Sequence, residues 1–346
     1  MSGLPPFVMT LRGLAPEMLT AAVRDARLNP CQLSSRPLPS TLSRLVCPKV
    51  ALDFAALGPA VMFTGAMPEN CFTLIFILAC PEKGRVLNLA IEHVDGYIGF
   101  FPPGCLLDAV TPAGYSNASL TVPIAEFHAA IASQFPEVPE TVLTRGAGLR
   151  VGLVEQVRLR TLLAALKDVV GNRAESLAST VVRQNIERDL LEAFLAALRS
   201  GCESVFPPSR TRSGGRLKRI GQARDFIAAH LQTPIYLKDL GTALQVTPRG
   251  LEILFQDLLG VSPITYLRHQ RLHGARRALQ DADPAPGVVK EVALNWGFWH
   301  LGNFAHDYRQ LFGESPSATL ASSAHGSYQE MGGLPGPASF GMSRVV

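Results

Sequence analysis

Between Leu217 and Pro316 helix starts and stops follow one another so closely that few folds accommodate them. Leu217–Leu231 (LKRIGQARDFIAAHL) places Ile220, Ala223, Phe226 and Ile227 on one helical face. Thr233-Pro234 ends it, and Tyr236–Gln245 forms a second, short helix. Thr247-Pro248 then opens a third, because threonine caps a helix well and proline suits its first position. Leu251, Leu254, Phe255 and Leu258 give that helix its inward side. Short helix, tight turn and second helix make a helix-turn-helix. A longer helix runs from Pro263 to about Leu279, with Ile264, Leu267, Leu272, Ala275 and Leu279 apolar and Arg268, Arg271, Arg276 and Arg277 on polar positions. After the break at Asp281–Gly287 the arrangement recurs. Val288–Trp296 is short and helical, and Gly297 supplies the left-handed turn that glycine reaches cheaply. A helix from about His300 to Phe312 turns Phe304, Tyr308 and Leu311 inward, until Gly313 and Pro316 stop it. Trp296, Phe298 and Phe312 join them as core aromatics, whereas Trp299 sits where turn meets helix.

Two such units joined by one long helix are far more specific than either alone. Over residues 217–320 the chain resembles the AraC/XylS family of bacterial transcription regulators. The resemblance is carried by Thr247–Phe255 (TPRGLEILF), Leu259–Leu272 (LGVSPITYLRHQRL) and Val292–Pro316 (VALNWGFWHLGNFAHDYRQLFGESP). The last segment holds the family's Ala-x-x-x-Gly-Phe turn and Leu-Phe-Gly-x-x-Pro ending. The run GFWHLGNFAHDYRQLF is also similar to regulators of ethanolamine utilisation. Three positions depart from the family pattern: Gly241 stands where alanine is usual, Gln245 where glycine is common, and Ile253 where arginine often meets DNA.

The resemblance implies double-stranded DNA as partner, with two recognition helices in successive major grooves about 34 Å apart. The exposed candidates on the first are Arg249, Gly250, Glu252 and Ile253. Arginine pairs bidentately with guanine, and glutamate accepts from a cytosine amino group. Gly250 would let the helix approach closely. On the second the family's contact positions map to His300, Leu301, Gly302, Asn303 and His306, with Asn303 suited to adenine and Arg309 to a phosphate. Arg271 reads as structural, an anchor for the connecting helix.

Upstream the style differs. Residues 40–125 are cut by proline and glycine into short apolar segments, Cys71–Ala79, Val86–Ile91, Tyr97–Phe101 and Ala118–Val122, which read as strands. From Val151 two helices follow, roughly 150–170 and 177–200, with apolar stripes at Leu159, Leu163, Leu166 and Val170 and at Ile186, Leu190, Phe194 and Leu198. Those stripes suit either packing on their own sheet or a dimer interface. Gly201–Gly215 (GCESVFPPSRTRSGG) lacks apolar periodicity and reads as linker. The expected fold is α+β and multidomain: residues 1–200 sense and dimerise, 201–216 link, 217–320 bind DNA and 321–346 form a tail. By resemblance the first part is a cupin-like β-barrel holding a small-molecule effector, with Phe72, Phe76, Tyr97 and Phe101 as candidate lining. A homodimer acting as an activator, with RNA polymerase as a further partner, fits the same family.

Charge agrees with this division. Residues 1–200 hold seventeen basic and seventeen acidic side chains, and 201–346 hold fifteen and eleven. The longest apolar run, Cys71–Cys80, is half the roughly 20 residues a membrane-spanning helix needs. MSGLPPFVMT shows no basic flank ahead of an apolar core, so a cytoplasmic location is expected. The competing reading is an enzyme or DNA-repair protein that uses the same domain for targeting. It would need grouped cysteines or histidines. The six cysteines contain no Cys-x-x-Cys, Glu92-His93-Asp95 lacks a second histidine nearby, and His128 lies on a predicted helix far along the chain. Cys105 is the best candidate for a lone reactive thiol. No metal, cofactor or catalytic residue is expected.

Overall fold

The computed structural model describes residues 7–14, 19, 23–34, 39–81, 84–86, 91–93, 95–136, 138–203 and 213–323. Its N-terminal half is two antiparallel sheets laid face to face. One contains β1 (Val8–Leu14), β3 (Ser40–Val46), β4 (Ala51–Ala56), β6 (Cys71–Ala79), β9 (Tyr97–Phe101), β11 (Ser116–Pro123) and β12 (Ala147–Arg150), in the order β1-β3-β4-β11-β6-β9-β12. The other contains β2 (Arg27–Gln32), β5 (Val61–Ala66), β7 (Gly84–Val86), β8 (Ile91–His93) and β10 (Leu106–Thr111), in the order β2-β5-β10-β7-β8. Among the described residues the sheets do not close, so the expected barrel is corrected to an open pair of sheets. The expected strand Val86–Ile91 is instead the close of β7 and the start of β8, which pair with each other; 87–90 lie outside the described residues.

Alternation along the strands sorts the side chains into layers. Phe72, Leu74 and Phe76 of β6 and Ala118, Leu120 and Val122 of β11 face α1 (Ile124–Gln134), α3 (Leu153–Asn172) and α4 (Thr180–Glu203), forming one core. Leu159, Leu163, Leu166 and Val170 lie in that core with Leu190, Phe194 and Leu198, so both helical stripes pack on their own sheet. A short helix α2 (Glu140–Arg145) precedes β12. Ile75 and Ile77 of β6 point the other way, with Val61, Phe63, Leu107 and Ala109, into the layer between the sheets.

That layer also encloses an ion pair. Arg44 of β3 and Asp53 of β4 are direct cross-strand partners, and their side chains are 7% and 0% exposed. The guanidinium donates from Nε at 2.5 Å and from Nη2 at 3.1 Å, and the backbone N–H of Arg24 donates to the same carboxylate at 3.1 Å. Breaking one partner of such a pair strands a charge in an apolar layer.

The C-terminal half is helical: α5 (Ser213–Ala229), α6 (Leu237–Leu244), α7 (Pro248–Leu259), α8 (Pro263–Asp281), α9 (Val288–Asn295), α10 (Leu301–Phe312) and α11 (Pro316–Ser323). Helix reaches into both ends of the expected linker 201–216, since α4 runs to Glu203 and α5 opens at Ser213. Helix α11 likewise enters the expected tail, whose remainder lies outside the described residues. Ile220, Ala223, Leu254 and Phe255 share a core with Cys31, Leu33 and Met62 on the outer face of the second sheet. Polar contacts reinforce this junction. Arg224 grips Asp108 at 2.6 and 2.8 Å, the Gln32 N–H donates to Nε2 of His273 at 3.1 Å, and the Gln32 amide donates to the Leu311 carbonyl at 2.9 Å. Among the described residues no helix is long and apolar enough to cross a membrane.

Arg44→Ala is expected to cost about 3–5 kcal/mol, because the Asp53 carboxylate then remains buried without its cation. Arg44→Met combined with Asp53→Leu should recover most of that loss. Urea denaturation of the three proteins checks it, and equal stabilities of the single and double variants would contradict the pairing.

Candidate nucleic-acid interface

The first helix-turn-helix is built from local signals. The Asp239 carboxylate accepts from the Tyr236 N–H at 2.9 Å and fastens the entry of α6. Helix α6 ends at Gln245, which sits in the left-handed region at φ +52°. This is why glycine is common there: a side chain with a Cβ is strained in that conformation. Gly241 has an equally local reason. A Cβ on it would lie 2.8 Å from the Val246 carbonyl oxygen, so the tight turn leaves no room for the alanine usual in the family. The Thr247 hydroxyl accepts from the Gly250 N–H at 3.1 Å and caps α7 as expected.

Leu251, Leu254, Phe255, Leu258 and Leu259 bury one side of α7. Arg249, Glu252 and Ile253 are exposed on it, and Nη1 of Arg249 lies 3.1 Å from the Glu252 carboxylate. Gly250 differs from its expected role as an exposed position. It is half-buried, and a Cβ there would meet Cγ1 of Val246 at 2.9 Å, so the turn itself requires its smallness.

The second unit repeats the plan on α9 and α10. Gly297 turns the chain at φ +78°, and helix α10 begins at Leu301, one residue later than the sequence suggested. Phe304, Tyr308 and Leu311 are buried on one face, while His300, Leu301, Gly302, Asn303, His306 and Arg309 are all exposed. Trp296, Phe298 and Phe312 pack partly buried against this core, and Trp299 stands out in solvent.

Helix α8 joins the units and differs from its reading at one position. Arg276 has the spacing of a polar position but is buried, its Nη2 3.0 Å from the Glu314 carboxylate and its guanidinium stacked over Phe312. Ile264, one of its apolar residues, is exposed. Arg271 is the anchor anticipated, donating to the carbonyls of Leu231 at 2.8 Å and Thr233 at 2.7 Å. His269 is buried on the same helix. Burial first, and the nearby His273 and Arg268 second, push its pKa down from 6.5 to about 4.

The four effector-lining candidates are not brought together. Phe72 and Phe76 belong to the core between sheet and helices, and Phe72 stacks on Phe127 at 4.2 Å. Phe101 and the half-buried Tyr97 lie on the opposite face, toward the layer between the sheets. Cys105 is half-buried, and desolvation pushes its thiol up to about 11, away from thiolate chemistry. The side chains of Glu92 and His93 lie outside the described residues; the Asp95 carboxylate accepts from the Cys80 N–H at 2.5 Å. Among the described residues no group of three or more His, Cys, Asp or Glu side chains is placed to hold a metal.

Gln245→Gly should stabilise the protein by about 1 kcal/mol by relieving the left-handed strain, seen as a higher melting temperature; a lower one would show that the strain is negligible. For His269 the folded pKa lies below the unfolded one. Its contribution is therefore fully present above pH 6.5 and is lost as pH falls toward about 4. The expected slope is up to about 1.4 kcal/mol per pH unit. His269→Phe should flatten it, and an unchanged slope in denaturation curves at pH 7.5 and 5 would assign the acid sensitivity elsewhere.

Comparison with known proteins agrees with the helical architecture. A helix-turn-helix domain model matches residues 240–322. The chain is 42% identical to the probable thc operon regulatory protein of Rhodococcus erythropolis, over 28% of this chain and 30% of that protein. A longer alignment of 296 residues, 40% identical, links it to XylDLEGF operon transcriptional activator 3 of Pseudomonas putida, over 79% of this chain and 82% of that one. A solved probable AraC family transcriptional regulator from Rhodopseudomonas palustris is 36% identical, covers 31% of this chain and 97% of its own, and superposes with a TM-score of 0.29. The protein described here belongs to the AraC/XylS family of transcriptional regulators.

Proposed function

We propose that residues 217–320 bind duplex DNA sequence-specifically through the exposed faces of α7 and α10, and that residues 1–200 set this activity in response to a small molecule. The observation that carries the reading is the division of each helix. Phe304, Tyr308 and Leu311 are buried on α10, while Asn303, His306 and Arg309 are exposed; Arg249, Glu252 and Ile253 of α7 are likewise free of its core. Asparagine suits adenine, arginine suits guanine, and an apolar side chain suits the thymine methyl. Arg309, near the end of α10, is assigned to a phosphate.

The junction between the halves supports effector control. Asp108 and Gln32 of the second sheet are tied to Arg224 of α5 and His273 of α8, so a change of shape in that sheet reaches the helix joining the two reading heads. Leu153, Val154 and Val157 leave an apolar face of α3 in solvent, and we assign it to a homodimer contact. Activation by recruiting RNA polymerase in the cytoplasm completes the reading. Activation, though neither the polymerase contact nor the location, is supported by the names of relatives such as the XylDLEGF operon transcriptional activator. The same relatives favour a regulator over an enzyme or a DNA-repair protein.

Selection of random duplexes by the purified protein over a range of salt tests this. A bipartite motif is expected, its two blocks one helical turn apart, with affinity falling steeply with salt. Asn303→Ala should relax one block and Arg249→Ala the other, each by about 1–3 kcal/mol of discrimination. Absence of any motif, with and without an added metabolite pool, would defeat the proposal.

A further inference from the structure

A groove of about 480 Å³ lies between the two helix-turn-helix units, lined by the entry of α6, the first turns of α8 and the turn leading into α10. Of its lining, only His300 and Asn303 belong to the base-reading set. Its rim is unusually apolar for a surface facing water: Tyr236 is 73% exposed, Trp299 70% and Ile264 56%. Single exposed apolar residues are ordinary, but three around one concavity mark an interaction site.

The lining identifies the occupant. His300 and Asn303 line the groove and also stand on the exposed side of α10, so groove and reading face are continuous. Arg268 and Arg271 supply two cations against the single carboxylate of Asp307. Arg271 is committed to the Leu231 and Thr233 carbonyls, whereas Arg268 is half exposed and held to Asp307 only at 3.5 Å. Arg268 can therefore turn to a stronger anion. A ligand that fits must carry negative charge at one edge and an apolar, flat face at the other, and must run between the two reading heads. A deoxyribose-phosphate strand has this chemistry.

We propose that this groove receives the sugar-phosphate strand of the DNA segment between the two major-groove blocks. Arg268 takes a phosphate, and Trp299 and Tyr236 lie against the deoxyribose faces. The assignment rests on the reading of α7 and α10 as DNA-contacting helices. It extends the interface to three residues outside both of them and adds affinity without adding base preference, because sugar and phosphate carry no sequence.

The full-length protein allows a direct test, because it has two tryptophans and only Trp299 lies on the groove. It is titrated with a duplex of about 30 base pairs, enough for two successive major grooves. One such duplex is of random sequence at low salt and one carries the selected motif. Trp299 emission should change with both, and acrylamide should lose access to the indole; Trp299→Phe should remove the signal while retaining most of the affinity. Trp299→Ala should weaken binding to both duplexes about tenfold with the selected motif unchanged. Arg268→Ala should lower the slope of log affinity against log salt by about one. If the protein selects a bipartite motif while Trp299 stays equally accessible and Trp299→Ala binds normally, the groove faces something other than DNA and the assignment falls alone. If no duplex binds at any salt, the DNA reading falls with it.

Discussion

The orientation of everything in the C-terminal half depends on the burial of α8. Helices in folded proteins draw most of their stability from tertiary packing rather than from their own propensity. This one is held because Tyr266, His269, Leu272, His273, Ala275, Arg276 and Leu279 are all removed from solvent. Its first half shares a core with α5, α6 and α7, and its second half with α9, α10 and α11. A rigid rod that belongs to both cores leaves the two units little freedom to turn independently. Glycine at 274 is part of the same constraint, because a Cβ there would fall 2.1 Å from the Trp296 ring. The second unit can sit this close to the rod only where the rod has no side chain.

The burial of α8 also explains why Arg276 and His273 on it are partnered rather than solvated. A buried cation is costly unless it is paired. Arg276 faces the end of α10 and the turn after it, where the face of Phe312 and the Glu314 carboxylate receive it. Nε2 of His273 accepts the Gln32 N–H and so ties the rod to the edge strand of the N-terminal half. These contacts cross from one half of the chain to the other. The two halves therefore meet as a packed junction and not merely as beads on a linker.

The legible parts of the sequence were those set by local chemistry. Thr247-Pro248, Gly297 and Gly313 each impose a backbone state on their own residue, and helices α7 and α10 begin and end beside them. Strands β6 and β9 fall on their expected residues because each is apolar and bounded by turns. What failed depended on distant partners. Strand β2 contains Pro30, which argues against a strand until its place at the edge of the sheet is known. Phe76 and Phe101 look equivalent in sequence, yet they face opposite sides of the sheet. Register sets this: β6 pairs with β9 so that Phe76 opposes Ile98, and Phe101 opposes Thr73. Arg276 has the spacing of a polar position, and it is buried by Phe312 and Glu314, some 36 to 38 residues further along the chain. The exposed groove aromatics Tyr236 and Trp299 had no signal, since an aromatic beside a turn reads equally well as core.

The two turns are not equivalent, and one guanidinium connects them. The first turn is tightened from within, by a glycine at 241 that admits the Val246 carbonyl and by a residue in the left-handed region at 245. The second is backed from below, where the Arg271 guanidinium stands 3.2 Å from the place a Cβ on Gly297 would take. The other side of the same guanidinium holds the Leu231 and Thr233 carbonyls, which lead from α5 into α6. Arg271 thus fastens the entry of the first unit and the turn of the second to one side chain of α8. A lysine could replace its charge but not this geometry, because only a planar fork satisfies two carbonyls while lying flat against a glycine. The relative aim of the two exposed helix faces is therefore set by a contact that touches neither of them.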